Sequence, residues 1–458
     1  MPVLAFDALV RNADGTQVTA QPNCQVSAAA GGVPARRYSC ETLLPLCLLD
    51  GRRLACAPTE RLVRDGRPFV YPLELQFPLR ATLTAESALA PDLPAAVAAQ
   101  VRAGRAAILV WIGHEAMPLH LDDTGRTWLF DVVQKLVRDL ALPPRQVWLV
   151  SGNVLAIHQF ASWLRERRLH DEEAFRFRTL MMSAASVRAQ YRLNARGLAL
   201  TGSARDGTWT FGLVPLDAAG FAERYVQPAE IAAERVAGRV RPKRFLSMNR
   251  QLRLHRQVIV SYLHGKGLLD RSLVSFGAAP PDLFDGCAFP IRGDFLRDSW
   301  RRLQPTLPRV IDPMGTVSID YHGVGTGWPY RDSYFNIVTE TDVDRWVAPL
   351  ATEKLMKPIL NYQPFIAVSS AHTLRYLRAL GFETFEPVID SGYDLAVDPI
   401  ERMAAIFGHI DRLGALGDAA ARDLYVDCLP MLEHNRALLL DGPHELDALF
   451  DELEAQIA

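Results

Sequence analysis

Long hydrophobic runs are missing from this chain: no stretch approaches the about 18 apolar residues that a membrane-spanning helix needs. Met1 to Ala13 lacks a basic segment followed by an apolar one, which argues against a secretory signal. Cysteine is scarce. The six are Cys24, Cys40, Cys47, Cys56, Cys287 and Cys428, and none stands in a Cys-x-x-Cys pair. Neither a disulfide scaffold nor a zinc ribbon is expected from so few. An excess of one charge is also lacking, with Lys and Arg totalling 50 against 52 Asp and Glu, a formal net charge of −2. Dedicated nucleic-acid binders carry a basic excess, so a nucleic-acid partner is not expected from the bulk numbers. No G-x-x-x-x-G-K-[ST] or G-x-S-x-G is present, which turns the reading away from P-loop kinases and nucleophile-elbow hydrolases. The compartment these absences suggest is the cytoplasm.

What is present is ordinary globular material, 49% hydrophobic and 22% charged, in 458 residues, enough for two or three domains. Residues 1–95 read as strands and turns, with a hairpin turn at Asn12-Ala13-Asp14-Gly15. From there the pattern changes to strand, helix, strand, helix. Ala106 to Ile112 is a wholly apolar strand, and Trp128 to Leu140 repeats its apolar residues at helical spacing. Gln146 to Ser151 and Ala156 to Leu169 repeat the alternation. Such an order predicts a parallel sheet covered by helices. A further hairpin is expected over 197–214.

Residues 227–243, with Pro228, Gly238 and Pro242 among many charges, read as an interdomain linker. A second α/β unit follows: strand Arg244 to Met248, helix Arg253 to Lys266, strand Asp270 to Phe276. Residues 277–325 are rich in Gly, Pro and Asp and read as long loops. Then come strand Tyr334 to Thr339, helix Thr352 to Leu360, strand Pro364 to Val368, helix Ala371 to Leu380 and a short strand at Thr384 to Phe385. Residues 401–458 read as C-terminal helices. The expected divisions are therefore 1–95, 96–235, 243–400 and 401–458.

Three segments of the second unit carry chemistry. The run from Arg241 to Arg256 is basic and passes from a strand through a loop into a helix. Ligands of open α/β sheets bind beyond the carboxyl ends of strands, and helix N-termini favour anions. Asn249, Arg250, Arg253, His255 and Arg256 are thus candidates to hold a diphosphate, arginine because its planar fork matches phosphate oxygens. A solvated basic face is the competing account of that run, and with it a non-enzymatic nucleic-acid or partner-binding protein using residues 236–256. In the second segment, Glu340 emerges at the end of an apolar strand, where a carboxylate can accept hydrogen bonds from ribose or sugar hydroxyls. In the third, Thr352 caps a helix, Glu353 occupies its first turn, and Lys354 reaches toward its positive end.

Basic loop, strand ending in Thr339-Glu340-Thr341, helix opening Thr352-Glu353-Lys354-Leu355, then apolar strand: this order resembles the donor domain of the α1,3-fucosyltransferase family. The likeness spans 243–370. It implies a GT-B-like fold of two Rossmann-like domains facing a cleft, here with a β-rich N-terminal extension and a helical C-terminus. It also implies metal-independent, inverting transfer of a sugar from a nucleotide-diphosphate sugar to a hydroxyl acceptor. The acceptor would be a glycan, a lipid-linked group or a protein; a lipid-linked one implies peripheral membrane association. By the same likeness Arg256 corresponds to the phosphate-binding arginine, and Glu340, Glu353 and Lys354 to the family's donor residues. No cofactor is expected beyond the nucleotide sugar, GDP-linked in that family. Thr341 replaces the family's Asn, and Met356 replaces an aromatic. On the acceptor side, Trp111-Ile112-Gly113-His114-Glu115-Ala116-Met117-Pro118 partly matches a Glu-Ser-Pro element. That makes Glu115 the expected general base, with His114 beside it as the other candidate. His114, Glu115 and His120 lack metal-site spacing, and no metal is expected.

Overall fold

A computed structural model of the chain describes residues 2–13, 16–23, 42–49, 55–75, 88–112, 128–153, 156–205, 208–249, 252–277, 293–311, 325–343, 349, 351–386, 388–442 and 445–457. It is α/β and divides into two units. The first takes the described residues up to Leu216 together with those after 443. The second takes the described residues between Asp217 and Gly442. The four expected divisions thus become two. Among the described residues, no helix is long and apolar enough to cross a membrane.

The strands of the first unit are, in chain order, β1 Val3–Phe6, β2 Ala8–Arg11, β3 Gln17–Gln21, β4 Ala55–Pro58, β5 Phe69–Glu74, β6 Ala106–Ile112, β7 Val147–Ser151, β8 Arg176–Thr179, β9 Leu198–Arg205 and β10 Thr208–Pro215. A six-stranded sheet of order β4-β1-β5-β6-β7-β8 is parallel throughout. β6 is apolar at every position because helices cover both sides of the sheet. Val3, Ala5, Tyr71, Ile108, Val110 and Leu149 face a core shared with the helices Ala95–Arg102, Leu129–Asp139 and Ala156–Arg167. Leu4, Phe6, Val70, Leu109, Trp111 and Trp148 face the opposite one.

That opposite core is filled by the helices Leu43–Leu49 and Met182–Ala195, by Val18, Ala20 and Phe211 of an antiparallel sheet β2-β3-β10-β9, and by the helix Glu445–Ile457. Two expectations change here. The region 1–95 is not a separate β-rich piece: β1, β4 and β5 belong to the parallel sheet, and the helices Leu43–Leu49 and Thr59–Arg64 lie between them in the chain. The last helix does not join the two before it. It returns to the first unit with Leu446, Leu449, Phe450, Leu453 and Ile457 buried.

The second unit carries β11 Lys243–Asn249, β12 Ser272–Phe276, β13 Ser333–Thr339 and β14 Phe365–Val368 in one parallel sheet of order β12-β11-β13-β14. Helix Leu254–Gly265 connects β11 to β12, and helix Glu353–Leu360 packs on both β13 and β14. Helices Pro399–Ala415 and Asp418–Asp441 lie against β14 and β13 respectively.

The expected linker is a helix, Pro228–Ala237. Its supposed breakers are its ends: Pro228 sits at the first turn behind a Gln227–Glu230 capping box, and Gly238 closes it at φ +68°. The loop-rich 277–325 also contains a helix, Gly293–Leu303. It lies so close to helix Leu254–Gly265 that a Cβ at Gly265 would meet the Phe295 ring at 2.5 Å. Thr384 and Phe385 form no strand; Phe385 instead packs edge-on to Phe365 of β14, ring centroids 5.0 Å apart.

Candidate functional site

The carboxyl ends of β11 and β13 lie side by side, and the chemistry-bearing segments of the second unit meet there. β13 ends at Thr339, whose hydroxyl donates to Asn249 Oδ1 at the end of β11 (2.7 Å). Asn249 in turn donates to Ser247 Oγ (3.1 Å) and takes Ser275 Oγ on its own N–H (3.1 Å). Asn249 is buried and occupied in joining strand ends, so it positions the strand ends from behind.

Glu340 is the next residue, and its side chain is fully buried. Its carboxylate accepts from Thr352 N–H (2.8 Å) on one oxygen and from the Thr352 hydroxyl (2.7 Å) on the other. Thr352 is the N-cap of helix Glu353–Leu360, its hydroxyl oxygen accepting from Lys354 N–H (3.2 Å). Lys354 Nζ stands 3.6 Å from Glu340 Oε2 and 3.2 Å from Glu353 Oε1, and donates to Thr352 Oγ1 (3.0 Å). Burial pushes the Glu340 carboxyl above its ordinary 4.5, with the Lys354 charge pulling the other way. Lys354 keeps 26% of its side chain exposed while its anionic neighbours are closed off. Its ammonium is thus held among Glu340, Glu353 and Thr352 at a helix N-terminus, with part of the side chain in reach of solvent.

Helix Leu254–Gly265 approaches from the opposite side. His255 Nε2 bonds the Glu340 carbonyl at 2.8 Å, and because a carbonyl only accepts, that nitrogen carries the hydrogen. Arg256 Nη2 donates to the carbonyls of Thr339 (3.3 Å) and Glu340 (3.2 Å). Arg253, at the N-cap, is exposed. Six of the expected donor-site residues thus surround the end of β13: Asn249, Arg256, Glu340, Thr352, Glu353 and Lys354.

Their roles differ from expectation in one respect. Glu340 and Arg256 spend their polar atoms on the protein, Glu340 on Thr352 and Arg256 on strand-end carbonyls. They shape the site; Arg253 is exposed, and Lys354 keeps part of its side chain exposed while its ammonium pairs with Glu340 and Glu353. Arg250, His114 and Glu115 lie outside the described residues.

No protein-family model, curated protein or solved structure matches this chain. The site rests on its own geometry.

Two arginines of the basic run are turned inward. Arg241 is buried, with two 2.8 Å bonds to Glu234, 2.8 Å bonds to the carbonyls of Tyr330 and Ser333, and its guanidinium 3.9 Å from the Tyr425 ring centroid. Arg244 is buried against Asp418 and the Leu416 carbonyl. Lys243 Nζ donates to the Asp270 carbonyl and Arg239 pairs with Asp332. Arg241 and Arg244 are joints inside the unit, while Arg239 and Lys243 make surface contacts.

Sequence reasoning missed the third strand end. After β14 come Ser369, Ser370 and His372, the last at φ +66°. Arg402 donates to the carbonyls of Ser369 and Val343, tying the segments after β14 and β13 together. The signal was available: polar residues directly after an apolar parallel strand mark a ligand-facing edge. Among the described residues, no group of three or more His, Cys, Asp or Glu is placed to hold a metal ion.

Proposed function

We propose that this chain is a glycosyltransferase that moves a sugar from a nucleotide-diphosphate sugar to a hydroxyl acceptor, its two Rossmann-like units forming a GT-B arrangement. One observation carries the reading. Lys354 and the N-terminus of helix Glu353–Leu360 gather around Glu340, beyond the carboxyl ends of two adjacent parallel strands, with Arg256 bracing the strand-end carbonyls. That edge is where α/β sheets bind ligands, and a helix N-terminus with a nearby lysine suits a diphosphate.

In this reading Lys354 and Arg253, with Arg250, grip the diphosphate, and Glu353 orients a ribose or sugar hydroxyl. Glu340, Thr352, Asn249, His255 and Arg256 hold that constellation in place. Transfer is inverting. The acceptor oxygen attacks the anomeric carbon, the bond to the diphosphate breaks, and Glu115, with His114 as the other candidate, takes the hydroxyl proton. Fixed positive charge stabilises the departing diphosphate as its charge develops. The nucleic-acid alternative has less support, because Arg241 and Arg244 of the basic run are consumed by internal partners.

The test is a panel of nucleotide sugars, GDP-linked ones included, screened by thermal shift, since a ligand that binds only the folded state raises the melting temperature. One or more members should raise it, and Lys354→Ala, measured from its own lower unliganded melting temperature because buried Glu340 loses its counter-charge, should shrink that shift at a fixed ligand concentration. A panel without any shift, or one whose shift is undiminished by Lys354→Ala, overturns the assignment.

A further inference from the structure

Away from that site, in the first unit, two cysteines meet an arginine. Cys47 lies on helix Leu43–Leu49 and Cys56 on β4, an edge strand of the six-stranded sheet. Neither is in a disulfide, and Cys47 Sγ lies within reach of the carbonyls of Leu43 (3.6 Å) and of Ala55 (3.9 Å), the residue before Cys56. From β2, Arg11 Nη2 donates to the same sulfur at 3.0 Å. Cys56 retains 7% exposure and Cys47 4%, while Arg11 is exposed. A cationic donor thus sits on the Cys56 sulfur at the sheet's edge, with a second thiol beside the strand.

We propose that Cys56 is a nucleophilic thiolate site for hydroperoxides and small electrophiles, with Cys47 as the thiol that resolves its oxidised form to a disulfide. The contrast with Cys428 supports this. Burial, with Asp427 nearby, pushes the Cys428 thiol up to about 12. Cys56 is also buried, yet the neighbouring Cys47 thiol and the Arg11 charge outweigh burial and hold it down at about 7. A thiolate beside a guanidinium is the reactive form, and a thiol titrating near ambient pH combines a large thiolate fraction with good nucleophilicity.

The chemistry balances with a hydroperoxide as oxidant. The Cys56 thiolate attacks one peroxide oxygen, the O–O bond breaks, and the leaving oxygen takes a proton to depart as water or an alcohol. Cys56 becomes a sulfenic acid. The Cys47 sulfur then gives up its proton and attacks the Cys56 sulfur. The S–O bond breaks, water leaves, and the disulfide forms. Two thiols have lost two electrons and the peroxide has gained them.

The experiment uses the full chain. Iodoacetamide labelling is followed site by site by mass spectrometry across pH. Cys56 should label faster than Cys428, with a midpoint near 7. Arg11→Ala should raise that midpoint and slow labelling at neutral pH by about threefold or more, while Arg11→Lys, which keeps the charge, should hold it low. Hydrogen peroxide should then yield a Cys47–Cys56 cross-linked peptide. Cys47→Ser should stop at a dimedone-reactive sulfenic acid on Cys56. The proposal falls if wild-type Cys56 labels no faster than Cys428, if its midpoint lies in the ordinary thiol range, or if peroxide produces no Cys47–Cys56 bridge. The wild-type readouts stand even where a variant folds poorly.

Discussion

Glu340 stands at the end of an apolar strand, as the sequence suggests, and turns its carboxylate to partners within the protein. A carboxylate at the end of an apolar strand reads as a ligand for sugar hydroxyls, but here it accepts from Thr352 and neighbours Lys354. Because burial raises its pKa, keeping it ionised costs stability, and the sign of the pH effect follows. A group with a raised folded pKa contributes fully below its unfolded value near 4.5, and that contribution is lost as pH rises through the folded value. Replacing it by neutral Gln removes the titration. The stability advantage of wild type over Glu340→Gln should therefore shrink as pH rises from 4.5 to neutrality, measurable by urea unfolding at a series of pH values. A gap that widens with pH would contradict the direction. Lys354 is expected to behave differently, as its side chain is partly exposed. Lys354→Ala should weaken nucleotide-sugar binding about tenfold, the loss of one charge-assisted contact of roughly 1.5 kcal/mol, as read by isothermal titration calorimetry.

At the scale of elements, helix ends decide where charge points. Thr352 both caps its helix and satisfies the Glu340 carboxylate. Thr352→Ala should cost about 2 kcal/mol in unfolding free energy, cap loss together with an unsatisfied buried carboxylate, while Thr352→Ser should restore most of it. Helix Pro228–Ala237 is held by a different device, the buried Glu234–Arg241 pair. Removing one partner leaves a buried charge alone, so Glu234→Ala should destabilise the second unit by about 3–5 kcal/mol in calorimetric unfolding. The cap at Thr352 was legible because capping is local: hydroxyl residue, acid in the first turn, apolar spacing behind. The helix at 228–237 was not read because Pro and Gly mark both helix ends and linkers. Only the Glu234–Arg241 pairing and the docking against Tyr330 and Ser333 settle which applies.

For the whole molecule, the chain's last helix matters most. Leu446, Leu449, Phe450 and Leu453 are buried in the first unit's core, and Gln456 accepts from Trp148 Nε1 of β7 at 2.9 Å. Phe450→Ala should therefore destabilise the first unit by about 3–5 kcal/mol and leave the second unit's transition in place, which calorimetry and limited proteolysis would register. Loss of the second transition instead would mean that the helix belongs where sequence order puts it. Periodicity predicted that this segment is helical, but an amphipathic stripe names no partner. Which sheet it covers depends on which apolar face is left open after the rest of the chain has packed.

The sequence by itself determined the α/β class, most strand and helix positions from 106 onward, the cap at Thr352 and the residues that gather at the carboxyl end of β13. Those follow from local physics: apolar runs buried on both faces, helical spacing, turn residues and the chemistry of strand ends. Tertiary structure alone decided the rest. It recruited β1, β4 and β5 into the parallel sheet, sent the final helix back to the first unit, turned Arg241 and Arg244 inward, and brought Arg11 to Cys56. Each of these joins residues far apart in the chain, and a contact of that kind is selected by the geometry of packed elements, which no local pattern records.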